Sequence, residues 1–413
     1  MPILTVPVGG PCPEVADRLT ERLGGFGCGP AIVDVRSPLE LSNWTLPVLE
    51  LTMVLGAVLA VGYATHRARR KADPVPLVVI VASVVYLLLV EPELYFPTKA
   101  GIGSSYVLFA HNVFTVTFLY DRLPLYIVAL YVVLPLLAFG IVRSLGVFER
   151  RGAFVAAVSV GVVHSSLYEV FDQLGPQLRW WIWNPDADGN HPFFASVPMD
   201  SVTLFSAVAP IGLAYFAYRL VARKAQAGES ISGWGYVGRT LAVGALTPVT
   251  LVIGAIPLSV FGGNHPDLTA RAIVLGVEFG LIWLIGAPAL VRTWTELRRE
   301  RIGGAAARHP GPLTPPPGIV VWIFGPMYLL VMAVLWVTAL PAAVDAVHGT
   351  TADGTPIGNL PFAAGCFLAG VVWVVAGSGL RGSARGGLDG LTSAEARDTS
   401  TVELAVPARE DLA

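Results

Sequence analysis

Residues 153–183 read AFVAAVSVGVVHSSLYEVFDQLGPQLRWWIW, and this stretch decides the fold. It begins with a predominantly apolar run of roughly twenty residues, the length that an α-helix needs to cross the hydrocarbon core of a bilayer. The run contains His164 and ends with Glu169 and Asp172, and three tryptophans follow within four positions. The pattern predicts a membrane-spanning helix that ends in polar and aromatic side chains.

The rest of the chain has the same apolar character. Of its 413 residues, 54% are hydrophobic and only 14% are charged, and the mean hydropathy is +0.65. These values lie well outside the range of soluble globular domains. We therefore predict an all-α, polytopic membrane helix bundle whose partner is the lipid bilayer. The net charge is only -2 and the basic residues are scattered between apolar runs, so we predict no nucleic-acid partner.

Nine runs have the length and composition of membrane-spanning helices. A further segment, SSYVLFAHNVFTVTFLY at 104–120, is apolar but short, and it carries His111 and Asn112 at its centre. The nine candidate spans lie near residues 46–65, 76–91, 123–142, 153–171, 200–221, 237–261, 269–291, 318–341 and 359–378.

The distribution of Lys and Arg decides whether 104–120 spans the membrane. Basic clusters occur at 66–71, 148–151, 219–224 and 292–301, and the positive-inside rule places all four in the cytoplasm. An even number of crossings must separate two cytoplasmic loops, whereas counting 104–120 as a span gives three crossings between the first two clusters. We therefore predict nine spans, with 104–120 as a re-entrant or interfacial segment. Ten spans is the alternative.

The nine-span arrangement sets the expected topology of a multi-pass protein of the plasma membrane. We predict that residues 1–45 form an extracytoplasmic N-terminal tail, 46–380 the transmembrane helical bundle, and 381–413 a disordered cytoplasmic tail. Cys12 and Cys28 lie in the N-terminal tail, where an oxidising compartment would permit a disulfide between them.

Two parts of the bundle resemble each other. FLYDRLPLYIVALYVVLP at 118–135 aligns with FFASVPMDSVTLFSAVAP at 193–210, with the Leu-Pro and Val-Pro pairs one position out of step. In both parts an inbound helix ends in acids, an aromatic-rich polar loop follows, and a helix that begins near a proline returns. We predict two similar helix-loop-helix hairpins that run the same way through the membrane.

The polar residues of 153–172 share one side of the helix. At 100° per residue, His164 lies at 0°, Tyr168 at about 40°, Asp172 at about 80°, Ser165 at about 100° and Glu169 at about 140°. An ionised carboxylate that faces hydrocarbon costs several kcal/mol, so these side chains should point into the bundle or towards a water-filled cavity at the outer interface. We therefore predict a functional pocket on this side of the helix.

Other polar residues extend the candidate pocket. Glu91 and Glu93 flank Pro92, so the helix is expected to end there with its acids at the outer mouth. His111 and Asn112 are expected either to cap a turn or to face the same cavity. No His, Cys or acidic pattern has metal-ligand spacing, so we predict no metal site and leave the cofactor unknown.

Trp180, Trp181 and Trp183 permit two interpretations. Tryptophan is enriched at membrane interfaces, so an aromatic belt at the level of the lipid headgroups is the favoured interpretation for these residues. The alternative is that the three indole rings line the pocket beside the acids.

The chain also resembles a known family. The acid-ended helices, the run LGPQLRWWIWN at 174–184 and the return helix that starts with SVP at 196–198 resemble integral membrane carotenoid hydratases of the bisanhydrobacterioruberin hydratase type. The resemblance covers residues 75–225. It implies addition of water to an isoprenoid double bond, with a protonated Glu or Asp as donor to carbon and aromatic faces that stabilise the resulting cation.

The enzyme hypothesis assigns a role to each candidate residue. Glu169 is the general acid, Asp172 or Glu91 orients water as the base, and His164 tunes the acid. The other candidate residues would contact a hydrophobic small-molecule substrate, and they are Tyr168, Trp180, Trp181, Trp183, His111 and Asn112.

Two alternatives to an enzyme stay open. A proton- or cation-coupled transporter would use Glu50 and Glu278 as further steps of a relay, which predicts acids on several helices at midplane depth. An enzyme at the outer hairpins predicts acids that cluster at one interface. A non-catalytic membrane scaffold requires no acid at a defined depth.

Overall fold

The structure is a computed structural model that describes residues 14–24, 31–39, 43–96, 107–229, 231–263, 265–302 and 318–378. The fold is mainly helical. In chain order the helices are α1 (Glu14–Leu23), α2 (Thr45–Arg70), α3 (Val75–Tyr95), α4 (Leu125–Ser144), α5 (Val147–Asp172), α6 (Ser201–Ala225), α7 (Gly233–Phe261), α8 (Leu268–Ile302), α9 (Val320–Val344) and α10 (Leu360–Ser378).

Nine helices of the described chain, α2 to α10, are long and apolar enough to cross a membrane. This confirms the predicted helix bundle with nine spans. The described part of 104–120 contains short strands and turns but no helix, and it connects α3 to α4. Because this segment is neither helical nor long enough to cross the bilayer, the ten-span alternative is wrong.

The ends of the helices define two faces of the bundle. We call the face where α2 ends at Arg70 and α5 begins at Val147 the basic face. We call the opposite face, where α3 ends at Tyr95 and α5 ends at Asp172, the strand face, because the short strands of the protein gather there.

Ion pairs join two basic clusters on the basic face. The guanidinium of Arg150 binds the carboxylate of Glu300 with N–O distances of 2.9 Å, and Arg151 pairs with Glu296. The predicted basic clusters at 148–151 and 292–301 therefore lie on the same side of the bundle. Which side of the membrane this face occupies stays a prediction.

Seven short strands of the described residues form the strand face. β1 pairs with β3, β3 with β4, β2 with β5, and β6 with β7, and every pair is antiparallel. The strands are β1 (Val33–Val35), β2 (Phe109–His111), β3 (Val116–Phe118), β4 (Leu123–Pro124), β5 (Trp181–Trp183), β6 (Pro192–Phe194) and β7 (Val197–Pro198).

The two predicted hairpins have the same layout. Each consists of an inbound helix, a single strand, a tight β-hairpin and a return helix. The return helix α4 begins after Pro124 and α6 begins soon after Pro198. The single strands β2 and β5 pair with each other, with Ala110 opposite Ile182. The hairpins therefore contact each other through equivalent strands.

Helix α5 lies at the centre of the bundle. In the most apolar 18 residues of α5, 83% of the residues are buried. In the corresponding stretches of α7 and α8 only 22% are buried, so these two helices face outward. Small residues let neighbouring helices approach α5 closely. A Cβ at Gly161 would lie 2.6 Å from the Ile211 side chain, and one at Gly286 would lie 2.7 Å from Val162. This close packing holds the polar side of α5 against its neighbours.

The described N-terminal residues cover part of the strand face. Leu19 and Leu23 of α1 pack with Ala110 of β2 in a small apolar cluster, and β1 pairs with β3. The candidate disulfide cysteines, Cys12 and Cys28, lie outside the described residues, as does the predicted disordered tail at 381–413.

Candidate functional site

A partly open cavity lies within the bundle near the strand face, with about 1000 Å³ of space between its atoms and the adjoining exterior. Helices α3, α4, α5 and α6 form its wall. Strands β2 and β5 and the loop before α6 border it at the strand face.

One side of α5 faces this cavity. His164, Tyr168 and Asp172 line it, and they follow one another at intervals of four residues, which places them one above the other on the helix. All three are within the arc that the sequence predicted. The arc from 0° to about 80° therefore corresponds to the cavity wall.

Glu169 does not line the cavity. Its Oε2 accepts a hydrogen bond of 3.0 Å from Nε2 of Gln173, and Oε1 of Gln173 accepts one of 2.8 Å from the backbone N–H of Asn359. The contacts direct Glu169 towards the start of α10. At about 140° on the helical wheel, it lies beyond the part of α5 that the cavity covers, although its carboxyl group stays close enough to Asp172 for the two charges to interact. Its predicted role as the general acid stays a prediction.

Asp172 is buried and held by the first residue of α6. The hydroxyl of Ser201 donates a hydrogen bond of 2.7 Å to its Oδ2. The first two turns of α6, Ser201–Val208, are π-helical, a wider winding that is frequent at functional sites.

The same π-helical segment orients His164. The backbone carbonyl of Ser206 lies 2.7 Å from Nδ1 of His164. Because a carbonyl only accepts hydrogen bonds, Nδ1 must carry a proton, and Nε2 of the neutral ring is left with its lone pair. His164 therefore presents an acceptor nitrogen rather than an N–H group at Nε2.

Glu91 lines the cavity from α3. Its Oε1 accepts a hydrogen bond of 2.6 Å from the hydroxyl of Tyr131 on α4. Its Oε2 is buried without a hydrogen-bond partner in the described part of the chain, and so is the hydroxyl of Tyr86, which also lines the cavity. Buried polar atoms are normally satisfied, so these two atoms mark a place where water or a ligand is expected to bind.

His111 lines the cavity from β2. Its Nδ1 lies 3.1 Å from the hydroxyl of Tyr126, which itself donates a hydrogen bond of 2.9 Å to the backbone carbonyl of Trp180. Because the Tyr126 proton is used in that bond, His111 must donate from Nδ1. Burial lowers the pKa of His111 to about 3, so the ring is neutral at physiological pH.

Aromatic rings form a continuous wall along one side of the cavity. The ring centroids of Tyr168 and Phe171 are 5.9 Å apart, those of Phe171 and Trp181 4.8 Å, and those of Trp181 and Trp183 6.4 Å. Trp181 is only 3% exposed. The favoured prediction of an aromatic belt is wrong for Trp181, because pairing with β2 folds β5 into the protein.

Trp180 and Asn112 have structural contacts away from the cavity. Trp180 is fully buried, and its indole N–H donates a hydrogen bond of 2.8 Å to the hydroxyl of Thr45, so it belongs to neither a belt nor the cavity wall. The amide of Asn112 donates to the backbone carbonyls of Leu23 and Arg179 at 2.9 Å. Asn112 thus joins α1 to the loop before β5, and it does not line the cavity.

Asp200 lies at the strand-face end of the cavity. Together with Gly189 and Asn190 it lines the cavity just before α6 begins. Burial raises the pKa of Asp200 to about 6, although the charge of Arg271 opposes this shift. Asp200 therefore places a partly buried carboxyl group where the cavity meets the strand face.

Sequence reasoning missed Tyr86, Tyr131 and Ser201. The two tyrosines lie in apolar spans, where an aromatic residue looks like a packing residue. The available signal was the hydroxyl group, because a hydroxyl buried inside a bundle requires a partner. Ser201 contacts Asp172 across a long loop, and no local pattern indicates that contact.

The polar groups around the cavity include carboxyl groups, imidazole rings and hydroxyl groups. In the described part of the chain, no three His, Cys, Asp or Glu side chains come close enough together to hold a metal ion. Glu91, Asp172 and Asp200 line the cavity, and no described Lys or Arg does so. The site therefore combines carboxyl groups with aromatic faces and neutral imidazoles.

Comparison of the chain with protein-family models, curated proteins and solved structures finds no match.

Proposed function

We propose that this protein is a membrane enzyme that adds water across a double bond of an isoprenoid or another hydrophobic chain. One observation carries the proposal: buried carboxyl groups and a wall of aromatic rings face the same cavity. Carboxyl groups transfer protons in general acid-base catalysis, and aromatic faces stabilise positive charge. The resemblance in residues 75–225 to carotenoid hydratases supports the same reaction class.

Glu91 is the proposed general acid. The Tyr131 hydroxyl fixes Oε1, which leaves Oε2 as the atom available to a ligand. In its protonated form Glu91 would transfer the Oε2 proton to one carbon of the double bond. The other carbon then carries the positive charge, and the rings of Tyr168 and Trp181 offer π faces to it.

Asp172 is the proposed base. Its carboxylate is oriented by Ser201 at the strand-face end of the cavity, where water reaches it past Asp200 and Asn190. Water attacks the cationic carbon while Asp172 takes its proton, and the product is an alcohol. Transfer of that proton from Asp172 back to Glu91 through water restores both groups, so the net reaction consumes one double bond and one water.

The positions of the remaining acids favour an enzyme over a relay. Glu50 accepts a hydrogen bond from Thr115, and Glu278 lies on the outward-facing α8. Neither lines the cavity. The acids at the cavity cluster near the strand face, as an outer-hairpin enzyme requires.

The proposal is tested by expression in a bacterial host that accumulates polyenes, followed by mass spectrometry of the lipid extract. The expected product of the unaltered protein is heavier than its precursor by one water, and Glu91→Gln and Asp172→Asn each abolish it. Glu50→Gln is the matched control, because Glu50 is an equally buried acid that does not line the cavity. The absence of any hydrated isoprenoid with the unaltered protein would remove the proposed reaction.

A Glu169→Gln variant tests the residue that the sequence favoured. Because Glu169 faces α10, this variant is expected to keep the product if it folds. Loss of product in folded Glu169→Gln together with its retention in Glu91→Gln would overturn the assignment of Glu91 as the acid.

A further inference from the structure

We propose that the cavity binds an elongated hydrocarbon ligand that carries a permanent positive charge, such as a quaternary ammonium group. The inference rests on the proposed function, because it assigns a ligand chemistry to the same site. It extends that function, because binding of a stable cation requires no reaction.

The charges around the cavity have one sign. Glu91, Asp172 and Asp200 line it, and none of the described Lys and Arg residues does. Glu91 and Asp172 each accept a hydrogen bond from a hydroxyl group, which orients a carboxylate without balancing its charge. A cation that enters the cavity would therefore meet carboxyl groups with no competing basic side chain at the wall.

The neutral polar groups reinforce this preference. His111 and His164 both use Nδ1–H in hydrogen bonds inside the protein, so both rings have Nε2 as a lone-pair acceptor. The lone pairs of two imidazoles favour a positive ligand. An anionic ligand would find neither a charged donor nor a positive imidazole.

Glu91 supplies the anchoring atom. The residue is 4% exposed, and Oε2 has no hydrogen-bond partner among the described residues although it is buried. Burying a carboxylate oxygen without a partner is costly, and a cation held against it removes that cost. The acid alone would suit many ligands, and the surrounding rings restrict the choice.

The rings near Glu91 suit an organic cation. Tyr131 binds Glu91 directly, and its ring centroid lies 5.6 Å from that of Tyr86. Tyr168 and Trp181 line the same cavity. A quaternary ammonium cannot donate hydrogen bonds, and aromatic faces together with a carboxylate are the groups that recognise it.

The shape and the apolar wall of the cavity suit the hydrocarbon chain of such a ligand. His164 and Asp172 are eight residues apart on α5, which corresponds to roughly 12 Å at about 1.5 Å per residue. The deeper wall is formed by apolar side chains that include Leu130, Pro135 and Leu213. An extended chain therefore fits along the helix axis, with its charged group beside Glu91.

The test compares two probes with the same chain, farnesyl trimethylammonium and farnesol, on the full-length protein in a nonionic detergent. Binding is measured by the quenching of tryptophan fluorescence and by the shift in melting temperature. We expect the cation to bind at least about tenfold more tightly than the alcohol. Equal binding of the two probes would overturn the inference, because the chain alone would then account for affinity.

Two variants locate the preference. Glu91→Gln is expected to bind both probes with similar affinity, and Glu50→Gln is expected to keep the preference for the cation. Because partition of the probes into the detergent is the same for both variants, a difference between them cannot arise from it. If Glu91→Gln does not fold, Asp172→Asn takes its place, with a reduced preference as the expected result. An unchanged preference in a folded Glu91→Gln variant would overturn the inference.

The two proposals fail separately. Preferential binding of the cation without any hydrated product would retain the inference and remove the proposed reaction. Hydration that depends on Glu91, together with equal binding of the two probes, would retain the reaction and remove the inference.

Discussion

The hydroxyl of Tyr131 on α4 donates a hydrogen bond of 2.6 Å to Oε1 of Glu91 on α3. The bond joins two helices at the wall of the cavity and fixes one oxygen of the carboxyl group. The second oxygen has no partner among the described residues, so the orientation of the acid depends on Tyr131.

Tyr131→Phe removes this bond without changing the size of the ring. We expect a loss of about 1–3 kcal/mol in the free energy of unfolding, because Glu91 is left buried without its donor. We also expect product formation to fall by about tenfold or more, since the acid is no longer oriented. Tyr328→Phe is the control, because Tyr328 is also buried but donates to the backbone carbonyl of Leu167 away from the cavity. Equal activity loss in both variants, measured at equal amounts of folded protein, would refute a positioning role for Tyr131.

Gly175→Ala tests the support of the aromatic wall. An added Cβ would lie 1.9 Å from Cη2 of Trp181, so the indole must move from its place beside the cavity. We expect a destabilisation of about 1–3 kcal/mol and a loss of product. Gly280→Ala on α8 is the control, because no atom lies within 4 Å of the added methyl group. Thermal unfolding of both variants in the same detergent measures the difference, and an unaltered melting temperature for Gly175→Ala would contradict the packing.

Asp73→Asn tests a buried ion cluster on the basic face. The Asp73 carboxylate binds Arg143 at 2.9 and 3.1 Å and Arg67 at 2.8 and 3.1 Å. Removing its charge breaks the buried ion pair with Arg143, so we expect a loss of about 3–5 kcal/mol. Asp353→Asn is the control, because its pair with Arg179 is exposed and contributes at most about 1 kcal/mol.

The acid dependence of stability provides a second measurement for Asp73. Burial raises the pKa of Asp73, but Arg143 and Arg67 outweigh burial and hold that pKa below its ordinary value of 3.8. A lowered pKa in the folded state contributes stability above the ordinary pKa, and the contribution is lost as the pH falls through the folded value. We therefore expect the difference between the unaltered protein and Asp73→Asn to persist at pH 5 and to shrink only below about pH 4. A difference that disappears by pH 6 would contradict the cluster.

Asp200→Asn is expected to stabilise the protein at neutral pH. Burial raises the pKa of Asp200 from 3.8 to about 6, against the opposing charge of Arg271. A raised pKa means that the folded state is favoured at low pH and loses stability as the pH rises through about 6. The variant removes this loss, so we expect a gain of about 1–2 kcal/mol at pH 7 and no gain at pH 4. Melting temperatures of both proteins at the two pH values decide it, and a destabilised variant at pH 7 would show that the carboxylate is needed.

The sequence was sufficient for the spans and for one side of α5. The length of the apolar runs predicted the nine long helices of the described chain. The need for an even number of crossings between basic clusters excluded 104–120 as a tenth span. The helical period placed His164, Tyr168 and Asp172 on the side that lines the cavity. Each of these features depends on the order of residues along the chain or on the thickness of the bilayer, so a single sequence is enough to predict it.

Contacts between distant segments were beyond the sequence. Glu169 lies on the same predicted arc as Asp172, but Gln173 and Asn359 direct it towards α10. The sequence favoured an interfacial position for Trp181, whereas in the structure its pairing with His111 buries it. No local period reports such pairings, because they depend on how separate helices meet.

The pairing of β2 with β5 has a consequence for biogenesis. β2 emerges from the ribosome before α4 and α5, whereas its partner strand follows α5. The first hairpin therefore enters the bilayer with β2 unpaired, and its unpaired backbone groups must be hydrated or held by the insertion machinery. A nascent chain that stops after α4 has only the part of the cavity wall that α3, β2 and α4 supply, and it lacks the part that the second hairpin contributes.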